Sequence, residues 1–505
     1  MNNNELKYFT EPKLIFKYGQ TAEDSRVGLT LFGPYENASC KAKVGIIGTN
    51  KGIINYSCFV NRINKPIFSK SMGRPFYPGF STVFGIEWPE APATTISINM
   101  NEIEELVQIK NLKERTYKLV SLYLNKIKRY IKNEEVSIDI WYVIVPMLIF
   151  SNCRPKSKSG KATISKQRLE KYQSGQISFL GDDDEIEQYT EMYESDSDFH
   201  DQFKARAIYE KIQTPIQIML EDTLLFKNKT NGDEYNDDMK AHLAWTHSSS
   251  FYYKLGYLPW KLTGVRDGVC YVGLVFKKLQ EDAKQKGFAC SAAQMFLDSG
   301  DGVVFKGNIG PWMGKNEKTY HLNQESAKDL LNIATESYVE KHGYYPKEMF
   351  IHGRTAFTDE EWNGFSDALK NSPETKLVGV TINDIDGFRL YKDNISEKNL
   401  YGIMRGLGLL VNEKSGYLWT KGYIPKTETS NHLEVSRPIK IVINRGESDI
   451  TIVMQDILGL TKLNYNACIY GDGLPVTLRF SNCIGDILTA IPDLTVAAKP
   501  FKYYI

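Results

Sequence analysis

The feature that most constrains the fold is an alternation of strand and helix patterns in the first half of the chain. The stretch AKVGIIGT at 42–49 is apolar and ends in glycine, and a helix is predicted near 52–63. Residues 115–131 place apolar side chains at helical spacing, and WYVIVP at 141–146 is typical of a fully buried strand. Strands that alternate with helices predict a parallel, doubly wound α/β sheet.

The pattern changes beyond residue 265. Three strands are predicted in succession between 269 and 307, and a long helix near 324–341 ends at Gly343. The rest of the chain then alternates, with strands predicted at 349–352, 377–382, 387–391, 407–411, 417–419 and 439–443 and helices near 358–370 and 447–461. Three strands followed by alternation favour an RNase H-like domain, so two α/β domains are predicted, with a boundary near residue 265.

Composition excludes several classes of protein. The 505 residues carry a net charge of +1, so a histone-like, purely electrostatic binder is excluded, although a local basic groove is not. The seven cysteines form no CxxC pair, which disfavours a zinc ribbon and suits a reducing compartment. Because the chain lacks an apolar signal region and a long apolar run, we expect a cytoplasmic protein with no membrane segment.

Four polar residues in the first half have a spacing that suits a phosphate. His200 and Lys204 stand four residues apart, so a helix presents both on one face. Gln217 follows a break at Pro215, and Lys254 lies near the end of a second predicted helix. Two ammonium groups, an imidazole and an amide could converge on one phosphate. The alternative for any one of them alone is a solvated helix face.

These residues resemble the guide 5′-phosphate pocket in the MID domain of Argonaute proteins. The whole chain is similar to the short prokaryotic Argonautes. Within that group the resemblance is strongest to the Argonaute subunit of TIR-APAZ (SPARTA) systems, and it runs nearly end to end. The stretches that carry it are EPKLIFKYGQ, GLTLFGPYE, WYVIVP, HLAWT, VCYVGLVFKK, GPWMG, PKEMFIHGRTAFTDEEW, IMRGLG, GYLWTKGYIP, LTKLNYNAC, LPVTLRFS and the final FKYYI.

The resemblance implies a Rossmann-like MID domain over 1–265 and a PIWI domain over 266–505. It further implies a guide RNA held at His200, Lys204, Gln217 and Lys254, a single-stranded DNA target, and a role in prokaryotic immunity. Short Argonautes lack N and PAZ domains, and their partner is an APAZ-containing effector, here expected to be a TIR-APAZ NADase. Target binding is expected to drive the heterodimer to a tetramer of heterodimers.

The resemblance also predicts that the PIWI domain does not cut. Two-metal nucleases hold their ions with clustered carboxylates. The positions that match the first, third and fourth catalytic residues of active Argonautes are Val275, Gly353 (or Arg354) and Asn482, and none is acidic. The alternative is a nuclease with displaced carboxylates, for which Asp298 and Asp301 are candidates, although DG pairs form turns first.

One metal ion is expected even so. In related proteins the C-terminal carboxylate folds back to the phosphate pocket and helps to hold magnesium, so Ile505 is the candidate ligand of a Mg²⁺ at the guide phosphate. The alternative for an apolar end such as FKYYI is simple packing.

A charged segment separates the predicted strand at 141–146 from His200. Basic residues dominate 154–171, and nine acids fall within 182–198. Such blocks usually form solvated surface loops, and the functional alternative is a basic contact with a nucleic-acid backbone. GIIGTNKG matches neither a P-loop nor GxGxxG. His352, on a predicted buried strand, is expected to be a hydrogen-bonded core histidine.

Three functions stay open on the sequence: a guide-directed sensor that signals through a partner chain, a guided endonuclease, and a stand-alone guide-binding repressor. The alternative to the expected TIR partner is a partner that carries a Sir2 or nuclease effector.

Overall fold

A computed structural model describes residues 5–39, 41–71, 73–134, 136–161, 183–228, 231–278, 289–297, 302–310, 320–391, 402–425, 435–491 and 499–505. The elements of the first half are β1 (Glu5–Tyr8), β2 (Leu14–Ile15), β3 (Thr21–Ala22), α1 (Ser25–Phe32), β4 (Val44–Gly48), α2 (Asn50–Ile63), α3 (Phe80–Phe84), β5 (Thr94–Ser97), α4 (Met100–Val107), α5 (Leu112–Asn133), β6 (Ile140–Val145), α6 (Met147–Asn152), α7 (Asp183–Glu194), α8 (Phe199–Tyr209), β7 (Ile216–Leu220), α9 (Glu221–Leu224), α10 (Asp237–Lys254) and β8 (Lys261–Leu262).

The second half begins with the predicted run of strands. Its elements are β9 (Val269–Lys278), β10 (Ala289–Leu297), β11 (Gly302–Gly310), α11 (Gln324–His342), β12 (Glu348–Gly353), α12 (Asp359–Ala368), β13 (Lys376–Asp384), β14 (Leu407–Asn412), β15 (Ser415–Leu418), β16 (Ile439–Arg445), α13 (Ile450–Leu460), α14 (Val476–Arg479), α15 (Ser481–Leu488) and β17 (Lys499–Pro500). Short 3-10 turns at Lys17–Gly19 and Phe501–Tyr503 complete the described chain.

The first half is built on a four-stranded parallel sheet in the order β5-β4-β6-β7. Strands β4 and β6 are buried along their whole length, as expected where helices cover both faces of a parallel sheet. Helix α5 packs the predicted stripe inward, with Leu119, Tyr123 and Ile127 fully buried. The prediction of a doubly wound α/β half is confirmed.

The second half is built on a ten-stranded mixed sheet, in the order β1-β14-β15-β16-β13-β12-β9-β10-β11-β17. Strands β9, β10 and β11 form an antiparallel meander, and β12 runs parallel to both β9 and β13. This is the predicted order of three strands followed by alternating elements, and it matches the PIWI-type fold. The first strand of the chain, β1, crosses over to pair with β14 at the edge of this sheet.

Local signals placed most element ends correctly. Helix α11 ends at Gly343, which has φ 78° and a backbone N–H bonded to Val339 O, as expected for a glycine beyond a helix end. One predicted strand is wrong, because residues 387–391 lie in irregular backbone. There the Arg389 guanidinium donates to the main-chain oxygens of Asp386 and Phe388 and so holds a local turn.

The charged segment is only partly described, since 162–182 lie outside the described residues. Its acidic part is not a loop as expected from its charge: α7 packs on α5, where Tyr117 Oη donates to Glu191 Oε2 at 2.8 Å. Charge repulsion along α7 is therefore overcome by tertiary contacts. No helix in the described ranges combines the length and apolarity needed to cross a bilayer.

Candidate nucleic-acid-binding site

Helix α8 presents the first pair of predicted phosphate ligands. Its N-cap is Asp198, whose side chain accepts from the His200 backbone N–H, so the helix begins one residue before the histidine. His200 Nδ1 lies 2.8 Å from Asp201 Oδ1. Lys204, one turn later on the same face, is only 3% exposed.

The second pair is brought to the same place by β7 and by the last residue of α10. Lys254 is 1% exposed, and its Nζ donates to Gln217 Oε1 at 2.5 Å and to Ile216 O at 3.3 Å. Gln217 Nε2 in turn donates to Ile218 O at 3.2 Å. An amide and an ammonium that are far apart in sequence are thus in direct contact.

The end of the printed sequence reaches the same cluster. Lys204 Nζ donates to Ile505 O at 2.7 Å and to Tyr504 O at 3.0 Å. Tyr504 and Ile505 are both buried, and Phe501 packs against Phe296 and Phe480 of the second half. The structure therefore brings Ile505 to the predicted pocket, held there by apolar packing and by Lys204.

The two lysines of this cluster are buried without an acidic side chain, within the described part of the chain, to neutralise them. Burial lowers the pKa of Lys204 to about 8, and burial together with the nearby Lys204 charge lowers the pKa of Lys254 well below its usual value. Among the described residues, neither ammonium group has an aspartate or glutamate side chain within ion-pair distance. Buried lysines almost always have an anionic partner. Apart from the Ile505 oxygen at Lys204, the acceptors recorded for these two ammonium groups are neutral carbonyl and amide oxygens, so the arrangement is suited to receive an anion from outside the chain.

The histidine lies at the mouth of this cluster. Burial, and then the Lys204 charge, lower the pKa of His200, so the neutral imidazole is favoured. Burial, followed by repulsion from Asp486, raises the pKa of the neighbouring Asp201 to about 7. A neutral imidazole and a carboxyl whose pKa is raised offer hydrogen bonds and repel an anion less than an ordinary aspartate would.

A cavity of about 250 Å³ lies beside His200. It opens at the carboxyl ends of β6 and β7, where an open parallel sheet usually binds its ligands. Its lining is mostly apolar, and the lining residues with polar groups are Cys153, Arg154, Asp198, His200, Thr223 and His247. The Arg154 guanidinium lies 4.2 Å from the Phe150 ring centroid, so the rim carries a planar cation on an aromatic ring.

Two of the three expected catalytic positions line a second cavity, of about 400 Å³, in the large sheet. Gly353 ends β12, Asn482 is the second residue of α15, and both line this cavity. Val275 lies within β9, opposite Ala292 of β10. The described part of the chain contains no group of three or more His, Cys, Asp or Glu residues that could hold a metal ion. Asp298 and Asp301, the candidates for displaced carboxylates, lie outside the described residues.

The charged groups at this second cavity are already engaged with one another. Arg354 Nη1 donates to Ile382 O and to Asp384 Oδ2, each at 3.3 Å. Glu361 accepts from the Leu322 and Thr358 backbone N–H groups, both at 2.9 Å, and closes a capping box at the start of α12. Glu361 thus serves the helix end rather than the cavity. His352, as predicted, is buried and lies 2.9 Å from Thr477 Oγ1.

Some residues of the first site could not be found from the sequence. Cys483 and Asp201 influence the charge of Lys204, and Phe150 and Arg154 shape the cavity rim, yet none has a motif of its own. The only available signal was position: Asp201 follows His200 directly, and Arg154 begins the basic segment.

No protein-family model and no curated protein matches this sequence. Solved structures do match it in fold. Clostridium butyricum Argonaute, solved with a guide DNA bearing a 5′ deoxycytidine and a 19-mer target DNA, aligns with a TM-score of 0.65 and 14% identity over 99% of this chain and 55% of its own. Aa-Ago, solved with externally bound siRNA, aligns with a TM-score of 0.54 and 15% identity over 100% of this chain and 56% of its own.

The chain thus spans about half the length of the solved proteins that it matches. At this level of identity, the agreement concerns the path of the backbone. The four-stranded parallel sheet followed by the ten-stranded mixed sheet corresponds to the MID and PIWI folds of those proteins. The chain therefore has the MID–PIWI fold of the Argonaute proteins.

Proposed function

We propose that the chain binds the 5′ phosphate of a guide strand between Lys204 and Lys254 and presents that guide for pairing with a target. The observation that carries the proposal is the pair of buried lysines without a carboxylate side-chain partner among the described residues. A terminal phosphate carries close to two negative charges at neutral pH and has several acceptor oxygens. It would neutralise both ammonium groups at once, which an internal phosphodiester could not.

The guide that fits this proposal is one whose first base enters the cavity beside His200. The cavity is apolar and about 250 Å³, and its rim places Arg154 over Phe150. Sequence selection would then come from base pairing along the rest of the guide, while the protein contacts backbone and duplex shape. We propose guide RNA and single-stranded DNA as the two strands, as the resemblance to short Argonautes implies.

The phosphate pocket is tested with 5′-phosphorylated and 5′-hydroxyl guides of one sequence. Lys204→Ala and Lys254→Ala should each weaken binding of the phosphorylated guide about tenfold to hundredfold, because a hydrogen bond to a charged group is worth about 1.5–3 kcal/mol. Lys240→Ala is the matched control, since Lys240 lies on the same helix α10 but pairs with Glu234. Equal losses for both guides would show that these lysines do not hold the terminal phosphate.

We further propose that the chain recognises its target without cutting it. The support is Gly353 and Asn482 at the second cavity, with Arg354 tied to Asp384 and Glu361 committed to the start of α12. Guide-loaded protein should leave a labelled, fully matched target intact with Mg²⁺ or Mn²⁺. Cleavage at one guide-defined position, above a no-protein control, would favour the guided endonuclease instead.

A magnesium ion at the guide phosphate belongs to the same proposal. The residues fit it in one respect: the Ile505 oxygen lies at the pocket, and magnesium commonly takes its remaining oxygens from phosphate and water. Lys204 already contacts that oxygen, so the ion would share the neutralising role with the ammonium groups. If the ion binds, EDTA should weaken the binding of 5′-phosphorylated guides and leave the affinity for 5′-hydroxyl guides unchanged. Equal affinities for the phosphorylated guide with and without EDTA would show that no magnesium ion contributes to guide binding.

A protein that recognises its target without cutting it can act by signalling through a second chain. We propose an APAZ-containing effector as partner, a TIR-APAZ NADase first and a Sir2 or nuclease effector second, in a prokaryotic defence system. The target-bound heterodimer would assemble into a tetramer of heterodimers. Co-purification of such a partner separates this reading from a stand-alone repressor.

A further inference from the structure

A hairpin that follows α2 exposes two aromatic rings. Ile67 and Tyr77 exchange main-chain hydrogen bonds of 2.8 and 2.9 Å at its base. Beyond them, Phe68 and Phe76 stack with ring centroids 6.1 Å apart and planes 12° from parallel. Phe68 is 75% exposed and Phe76 is 41% exposed, so one face of the pair is open to solvent.

The exposure of the rings is imposed by anchors on both arms of the hairpin. Tyr77 is fully buried and its Oη lies 2.7 Å from Ser248 Oγ. Asp238 accepts from Ser69 Oγ at 2.8 Å and from the Lys70 backbone N–H at 2.9 Å. These bonds fix the arms against α10, so the phenylalanines are held outward.

A third anchor comes from α1. Arg26, itself paired with Asp24 at 2.7 Å in the interior, donates from Nη1 to Gly73 O at 3.0 Å. A site built on such supported backbone keeps its geometry before a ligand arrives, which lowers the entropic cost of binding.

Positive charge surrounds the rings. Lys70 and Arg74 lie on the hairpin between Ile67 and Tyr77, and Lys65 lies just before it. Lys65 Nζ donates to Asn61 Oδ1 at 2.7 Å. One carboxylate lies beside them: hydrogen bonds from Ser69 and from the Lys70 backbone N–H, and then the Arg74 charge, hold the pKa of Asp238 below its usual value. Because three cations outnumber this one carboxylate, an apolar protein partner would leave net positive charge at its interface, whereas a phosphate backbone would neutralise that charge.

We propose that this hairpin is a second nucleic-acid contact, where a base of a single strand stacks on Phe68 and the neighbouring phosphates lie against Lys70 and Arg74. Aromatic rings beside lysines and arginines are the usual combination for single strands bound without sequence preference. The contact is independent of the terminal-phosphate pocket, because it needs no strand end. It would hold a strand at a point away from the guide 5′ end.

The probe that isolates this contact is a circular single-stranded DNA, which has no 5′ phosphate to enter the pocket at Lys204. The Phe68→Ala variant should bind the circle about fivefold to a hundredfold more weakly than the wild-type chain does, the usual range for loss of one stacked base. Phe68→Trp should bind at least as tightly as the wild type. Tyr18→Ala is the control, since Tyr18 is exposed and lies outside the hairpin.

Salt dependence separates the two kinds of contact. Lys70→Ala should reduce the slope of log affinity against log salt by about 0.7, the value for one phosphate on a single strand, whereas Phe68→Ala should leave that slope unchanged. Because both side chains are exposed, neither variant should alter the thermal midpoint, so a loss of binding is not a loss of folding.

Three results would overturn the proposal: no binding of the circle by the wild-type chain, no effect of Phe68→Ala, or wild-type affinity in Phe68→Leu. The last would mark the pair as an apolar surface for a protein. None of these results bears on the comparison of phosphorylated with hydroxyl guides. The hairpin contact and the guide pocket are therefore tested independently of each other.

Discussion

At the scale of residues, the candidate site is defined by charges that the fold does not neutralise. A lysine whose pKa falls from 10.5 to about 8 holds its proton less tightly by roughly 3 kcal/mol, since each pKa unit is about 1.4 kcal/mol. The chain keeps Lys204 in the interior despite this cost. A bound anion that raises this pKa again would gain affinity above about pH 8, where Lys204 of the free chain loses its proton.

This gives the guide affinity a defined pH dependence. In the free chain Lys204 loses its proton above about pH 8, and the bound phosphate raises its pKa, so binding takes up a proton there. Affinity for phosphorylated guides should fall by up to about tenfold per pH unit above pH 8, and Lys204→Met should remove that part of the slope. Anisotropy titrations of a DNA guide at pH 7, 8 and 9 measure it. A wild-type curve flat across this range would contradict the assignment.

The contribution of Lys204 to the stability of the free chain should have the opposite pH dependence: it should rise with pH where the guide affinity falls. Between about 8 and 10.5 the unfolded chain binds more protons at Lys204 than the folded chain does, so Lys204 contributes a stability that rises with pH in this window. Comparison with Lys204→Met isolates this contribution from that of other titrating groups.

At the scale of elements, the second half is organised by one very close approach. Strand β9 passes α14 so tightly that a Cβ on Gly273 would lie 2.0 Å from Thr477 O, a main-chain atom. Thr477 also contacts His352 on β12, and Gly273 is paired with His352 across the sheet. The glycine therefore sets the distance between the helix and the sheet at the second cavity.

Gly273→Ala should lower the free energy of unfolding by about 1–3 kcal/mol or more, because a buried backbone has to move to admit a methyl group. Gly387→Ala is the matched control, since nothing lies within 4 Å of its Cβ position. Thermal melts of the two variants compare them directly. A midpoint for Gly273→Ala equal to that of the control would show that α14 is not held against β9 as described.

At the scale of the whole molecule, the two halves share one interior. A single hydrophobic cluster includes Val44 and Tyr142 of the first half and Ile441 and Ile505 of the second. A buried ion cluster adds to it: Glu11 accepts from Arg405 Nε at 2.9 Å and from Lys462 Nζ at 2.5 Å. Although burial opposes it, these two cations hold the pKa of Glu11 below its usual value. A shared interior of this kind suits the proposed transmission of target binding between the halves.

The proposed sensor makes a prediction at this scale. Only contacts that differ between resting and active states can shift their balance, and a shift from about 1:99 to 99:1 takes roughly 5.5 kcal/mol of differential binding. Seed pairs alone supply little of that, so NAD⁺ loss by the reconstituted complex should rise sharply once pairing extends beyond the seed. Binding is followed in parallel at each target length. Activity that tracks occupancy at every length would refute the coupling, and absence of a partner-dependent NADase would refute the TIR partner.

Local sequence determined the elements and the candidate residues of this protein. Apolar periodicity predicted α5 and β6, and the glycine beyond α11 predicted its end, because these depend on neighbours within a few turns. The spacing of His200 and Lys204 predicted a shared helix face for the same reason. The strand predicted at 387–391 was wrong, because turn contacts can hold a short segment as readily as pairing with a neighbouring strand can.

Only the tertiary structure decided what those residues meet. That Lys204 and Lys254 are buried, that Ile505 returns to Lys204 across 301 positions of sequence, and that β1 joins the far edge of the large sheet are consequences of long-range packing. The outward stack of Phe68 and Phe76 likewise depends on Asp238, more than 150 residues away. Such contacts are selected by the fit of whole surfaces, and no spacing along the chain encodes them.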